Sequence, residues 1–304
     1  MKQNVQVTIV GSSNVDITAL MNRLPGPGET VLADSYQLTP GGKGANQALA
    51  AALAGATTEF IGAVGSDSHA PIALGQLVEA GVLVDRVLHG EGATGVAIIS
   101  VDSHAENSIA VISGANSAMD AAAVESVGEL SGVLVLQGEI PASGIRASMD
   151  RAAERIVLNL APVIELDREY LLKANPLVAN EHEAAMILAQ LEGSDSLSTA
   201  SESEMARELC ARGLESVVIT LGGEGCLVAQ RGQDGSVDVH TLPAVKVTAV
   251  DTTGAGDAFT GALAARLAQG DSLLVAAEFA GRFAALSVQQ HGAQASYPRS
   301  LENL

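Results

Sequence analysis

The chain is expected to form an α/β fold: a mostly parallel central sheet flanked by helices on both faces, with a small β-sheet lid beside it. Three observations point there. Short apolar runs such as VQVTIV and GVLVLQ alternate with segments of helical period, the pattern of βαβ units and a parallel sheet. Two patches of half-apolar strands, in residues 14–40 and 83–113, have no helix between their strands. Two glycine-rich turns each open an alanine- and leucine-rich helix.

Taken in order, residues 5–10 read as a buried first strand ending at Gly11. No helix follows at once: DITAL, the turn LPGPGE and TVLADSYQL read as a hairpin of half-exposed strands. Helix 43–54, strand 60–64 and helix 70–80 come next, and then a second strand patch through Val84–Leu88, Gly95–Val101 and Ser108–Ser113. Strand 132–137, helix 143–154, strand 155–160, helices 166–173, 181–190 and 202–212 and strand 217–221 continue the alternation. A β-rich stretch at 225–248 precedes two final helices, 256–268 and 272–290. The polar segment 192–203 reads as a connecting loop. The expected division is therefore a core of 1–13, 41–82 and 114–304, with a lid of 14–40 and 83–113. There is no internal repeat.

A net charge of −19 argues against long basic surfaces, so neither nucleic acid nor an anionic membrane is an expected partner. Hydrophobic residues at 47% and charged residues at 17% describe a chain that folds on its own core. With aromatics at 2%, small aliphatic side chains must fill that core. Cys210 and Cys226 have no metal-ligand spacing, and the N-terminus has no signal-like apolar run. A reduced, cytoplasmic setting is expected.

The segment Asp251–Gly261 (DTTGAGDAFTG) sets a glycine-rich turn against a helix start. Such a turn aims backbone N–H groups and the helix dipole at one point, which suits a phosphate. Asp257 in the first helical turn would lie beside that anion hole, where a base that deprotonates an attacking hydroxyl must be. The competing reading is that Asp257 only stabilises the helix N-terminus. The turn before residue 43 is not a Walker A loop, because Gln37 and Gly44 stand where that loop needs Gly and Ser or Thr. Lys43 and Asn46 present donors to a polyhydroxyl ligand, or Lys43 is simply a solvated lysine. The G-x-G-x-x-G match at Gly90, Gly92 and Gly95 precedes a strand, not the helix that a dinucleotide site requires.

Asn14 and Asp16 read either as a clamp for vicinal hydroxyls or as an Asx-turn. Asn180 and Glu183 read either as a capping box or as oxygens that hold waters around magnesium. His182 reads as a bystander. The histidines show no metal-ligand spacing, and no Ser sits in a nucleophile elbow.

In their order and spacing, GSSNVD, PGPGET, GGKGANQALAAALAG, TGVA, LQGEIP, NLAP, NEHEA, ITLGGEG and DTTGAGDAFTGAL resemble the ribokinase, or PfkB, family of carbohydrate kinases over nearly the whole chain. The resemblance implies ATP-dependent phosphorylation of D-ribose at its 5-hydroxyl. Asp257 would be the base, and the N–H groups of Thr253, Gly254, Ala255 and Gly256 the anion hole. It implies sugar contacts at Asn14, Asp16, Gly42, Lys43, Asn46, Glu139 and Asp257, and nucleotide contacts at Asn180, Thr220, Gly222 and Gly225. Mg2+ would be held through water by Glu183. K+ or another monovalent cation would be held by oxygens of Asp251, Thr253, Ser287, Gln290, Gly292 and Ser296. A homodimer through the lid is implied too. Gly281 departs from the family, which often has a histidine there against the adenine. Rival readings are a family kinase for another acceptor, such as deoxyribose, fructose, tagatose phosphate or pseudouridine, and a sugar-binding module without turnover.

Overall fold

The apolar runs become strands buried on both faces. The computed structural model describes residues 4–104 and 106–302. In chain order its strands are β1 (Val7–Val10), β2 (Asn14–Met21), β3 (Ala33–Gly41), β4 (Thr58–Ile61), β5 (Ala63–Gly65), β6 (Leu88–Gly90) and β7 (Gly95–Val101). They continue with β8 (Asn107–Ile112), β9 (Val133–Gln137), β10 (Ile156–Asn159), β11 (Leu177–Asn180), β12 (Ser216–Thr220), β13 (Gly225–Arg231) and β14 (Val237–Pro243). The helices are α1 (Lys43–Leu53), α2 (Ala70–Glu79), α3 (Ala121–Ser126), α4 (Ala142–Asp150), α5 (Arg168–Leu171), α6 (Glu181–Glu192), α7 (Glu202–Ala211), α8 (Ala255–Ala268) and α9 (Leu273–Ser287).

Eight strands form one sheet in the order β14-β13-β12-β11-β10-β9-β1-β4. All its neighbours pair in parallel from β4 to β12, while β13 and β14 close the far edge antiparallel. Period-two alternation divides its side chains between two cores. Val7, Ile9, Val133 and Val135 pack with α1, α8 and α9 on one face. Val10, Leu134, Leu136 and Leu158 pack with α4, α6 and α7 on the other. Strand order reverses direction between β1 and β9, so the loops leaving their carboxyl ends diverge and leave a crevice there.

A separate four-stranded sheet, β3-β2-β7-β8, stands beside the large one. It joins the two strand patches read from sequence, with β2 antiparallel to β3 and parallel to β7. One expected strand differs: Val84–Leu88 does not join this sheet. Leu88 instead starts β6, which pairs in parallel with β5. Sequence reading also missed α3, which is six residues long and too short to show a helical period. The helix expected to reach 154 stops at Asp150, and α9 stops at Ser287.

Candidate active site

The first turn of α8 has the architecture of an anion hole. Gly254 precedes the helix at φ 73°, in the left-handed region. A Cβ there would also come within 2.7 Å of the Ala293 Cβ and 2.9 Å of the Tyr297 hydroxyl. Glycine is therefore required for conformation and for space. Tyr297, buried behind the turn, donates its hydroxyl to the Gly254 carbonyl at 2.9 Å. The N–H groups of Gly254, Gly256 and Asp257 have no protein acceptor among the described residues, so they are available to an anion.

Asp257 is buried beside these donors. It lines a cavity of about 230 Å³ with Lys43, Asn159, Asn180, Glu183, Thr220 and the 254–256 turn. Amides surround it, not aliphatic carbons: Asn46 Nδ2 donates to Oδ2 at 3.0 Å and Gln47 Nε2 to Oδ1 at 2.9 Å. The backbone turn that carries α1 brings these partners in. Gly42 stands at φ 88°, and a Cβ on it would lie 2.8 Å from the Asn14 nitrogen, so β3 can turn into α1 against β2 only with glycine there.

A second cavity of about 420 Å³ is lined by Asn14, Val111, Asn116, Glu139 and Pro162. Glu139 Oε2 accepts from the Lys43 N–H at 2.9 Å and the Ser12 hydroxyl at 2.5 Å. Asn14 Oδ1 accepts from Asn116 Nδ2 at 2.7 Å, which leaves the Asn14 NH2 group directed to other partners. Asn14 and Asp16 both lie within β2, two residues apart and thus on one face. This rules out the Asx-turn reading. Burial and the nearby charges of Glu139 and Asp257 raise the Asp16 carboxyl to about 6. Asp257's charge raises Lys43 in turn, against the effect of burial. That lysine is enclosed among carboxylates, not solvated.

Both readings of Asn180 and Glu183 have a basis in the fold. Asn180 Oδ1 accepts from the Glu183 N–H at 2.8 Å, Glu183 Oε2 accepts from the Asn180 N–H at 2.9 Å, and both side chains line the smaller cavity. The capping box uses one carboxylate oxygen of Glu183 and leaves the other. Thr220 pairs with Asn180 in register and shares the wall. Gly222 and Gly225 lie in the turn just beyond, outside the lining residues. His182 is exposed.

Asp251 ties the turn before α8 to the loop after α9. Its Oδ1 accepts from the Thr253 N–H at 2.9 Å and its Oδ2 from the Gly292 N–H at 2.8 Å. Ser287 and Ser296 are buried nearby in sequence, and Gln290 is exposed. Among the described residues, no group of three or more His, Cys, Asp or Glu side chains could hold a metal. Sequence reading missed Ser12, Gln47, Asn116, Asn159 and Gln294. The available signal was a buried glutamine in an alanine-rich helix, and an asparagine at the carboxyl end of β10.

A family profile described as pfkB family carbohydrate kinase matches residues 4–300. The ribokinase of Haemophilus influenzae is 35% identical, covering 98% of this chain and 97% of its own. The deoxyribokinase of Salmonella typhi is 33% identical, covering 97% of this chain and 96% of its own. The structure of Arabidopsis thaliana ribokinase complexed with ribose and ATP superposes with a TM-score of 0.82 at 30% identity, covering 97% of this chain and 96% of that one. The chain belongs to the pfkB family of carbohydrate kinases.

Proposed function

We infer that the protein transfers the γ-phosphoryl group of ATP to the 5-hydroxyl of D-ribose. The observation that carries this reading is a buried carboxylate, Asp257, at the mouth of a turn with unpaired N–H groups. Asp257 takes the hydroxyl proton as the oxygen attacks in line. The free N–H groups of Gly254, Gly256 and Asp257 hold the charge on the transferred group, while those of Thr253 and Ala255, expected to share that task, already donate to Asp251 Oδ1 and the Thr252 carbonyl; the chemistry is positioning and electrostatics. Asn14, Asp16, Gly42, Lys43, Asn46 and Glu139 form the sugar site. Its amides and carboxylates offer partners to several hydroxyls, and few aromatic surfaces to a nucleobase.

Asn180, Thr220, Gly222 and Gly225 form the nucleotide site. Gly281 offers the adenine no side chain, and a Cβ there would meet no atom within 4 Å. Mg2+ supplies neutralisation of the phosphates when bound, with Glu183 holding its waters. The hydroxyl and carbonyl oxygens of Asp251, Thr253, Ser287, Gln290, Gly292 and Ser296 suit a hard monovalent cation such as K+. The four-stranded sheet is the lid and the contact between two copies in a homodimer, supported by exposed Tyr36, Leu38 and Ile98 on one of its faces. A cytoplasmic setting fits two buried, unpaired cysteines. No described helix is long and apolar enough to cross a membrane.

Asp257→Ala is the direct test. Turnover with ribose, read as ADP release, should fall by roughly 10²–10⁴-fold. Near-normal turnover would remove Asp257 from its role. A panel of ribose, deoxyribose, fructose and pseudouridine, with and without K+, tests the acceptor. Ribose should give the highest kcat/KM, because deoxyribose leaves polar partners of the 2-hydroxyl unpaired.

A further inference from the structure

Asp257 is the meeting point of two chains of side-chain amides. Along one, Gln294 Nε2 donates to Asn46 Oδ1 at 3.0 Å and Asn46 Nδ2 donates to Asp257 Oδ2 at 3.0 Å. Along the other, Gln137 Nε2 donates to Gln47 Oε1 at 2.7 Å and Gln47 Nε2 donates to Asp257 Oδ1 at 2.9 Å. Gln47 Nε2 also donates to Asn159 Oδ1 at 3.0 Å. Gln47 and Gln137 are fully buried, and Gln294 is 1% exposed.

The direction of these chains has one cause. An amide can be turned end for end, but a carboxylate ion only accepts. The first amide of each chain must therefore show its NH2 to Asp257, so its oxygen needs a donor from the second amide. The second amide's own oxygen is then left over. Gln137 Oε1 and Gln294 Oε1 are the two buried side-chain atoms without a hydrogen-bond partner among the described residues. A buried unpaired acceptor is costly, and two of them here terminate the two chains that point donors at one charge.

We propose that Gln47 and Gln294 are positioning residues of the phosphoryl transfer, each orienting amide donors onto one oxygen of Asp257. The proposal rests on the reading of Asp257 as the base. With an amide donor on each oxygen, the carboxylate is held against rotation at the wall of the cavity that it lines. The expected contribution is to kcat, since neither glutamine lines either cavity.

The experiment compares Gln47→Met and Gln294→Met, which keep side-chain length and remove the donors, in the full chain with ribose and ATP. Gln47→Met should lower kcat by roughly 10-fold or more, since it removes a hydrogen bond to a charged group, with both KM values within about twofold. Gln294→Met, one bond further away, should lower kcat by about threefold. In an Asp257→Asn background, adding Gln47→Met should change the residual rate less than about twofold, because no anion is left to hold. An unchanged kcat in Gln47→Met, or a full loss that persists in the Asp257→Asn background, overturns the proposal. If Gln47→Met does not fold, Gln294→Met decides by the same two readouts. Near-normal turnover of Asp257→Asn alone would instead overturn the base assignment, whatever the glutamine variants do.

Discussion

Asp16 shows how a proposed sugar contact can work against the fold that holds it. Burial and two neighbouring carboxylates raise it to about 6 from an ordinary 3.8. Between those values the native chain binds more protons than the unfolded one, so the stabilising contribution is complete below 3.8 and is lost as pH rises through 6. Above pH 6 the ionised group costs the unliganded protein about 1–3 kcal/mol. Asp16→Asn should therefore raise stability by that order in urea melts at pH 7.5, with little change near pH 3.5. The same variant should weaken ribose binding in calorimetry, and the native enzyme's KM for ribose should rise as pH falls below 6. A variant less stable than the parent at pH 7.5 would contradict this account.

Two helix starts allow a controlled comparison at the scale of an element. α6 and α7 each begin with a capping box, Asn180 with Glu183 and Ser201 with Glu204. Only the first pair faces the cavity between β11, β12 and α8. Ser201→Ala should cost about 1 kcal/mol of stability and leave kinetics unchanged. Asn180→Ala should cost a similar amount and also raise the KM for ATP several-fold, as the proposed nucleotide site requires. If the two variants match in both denaturation and KM, Asn180 is a cap and nothing more.

At the scale of the whole molecule, the small sheet is the part least explained by the chain alone. Leu38 and Ile98 flank Ile17 in one cross-strand row, Tyr36 lies two residues along on the same face, and Tyr36 is 70% exposed. Such a surface is apolar enough to associate. Sedimentation should find a dimer at micromolar concentration, and Ile98→Glu should shift it to monomer. A wild-type monomer at that concentration would exclude a dimer through this sheet. Because Val111 of this sheet lines the cavity with Asn14 and Glu139, loss of the dimer should raise the KM for ribose more than it lowers kcat.

Local sequence determined most of the strands and the longer helices, and the glycine turn that opens α8 with Asp257 in its first turn. Period, glycine position and helix propensity act over a few residues and can be read there. The chain's own alternation even separated the strands of the small sheet from those of the core, although Leu88 went to β5 because tertiary packing chose its partner. What surrounds the aspartate could not be read in this way. Gln47 and Asp257 are 210 residues apart in sequence, and Asn46 and Gln294 are 248 apart. An amide in an alanine-rich helix carries no mark of its partner. Only the stacking of α1 on α8, and the return of the chain past α9, brings those donors to one carboxylate. Hydrogen-bond direction is a property of the assembled network, so the tertiary structure alone decided it.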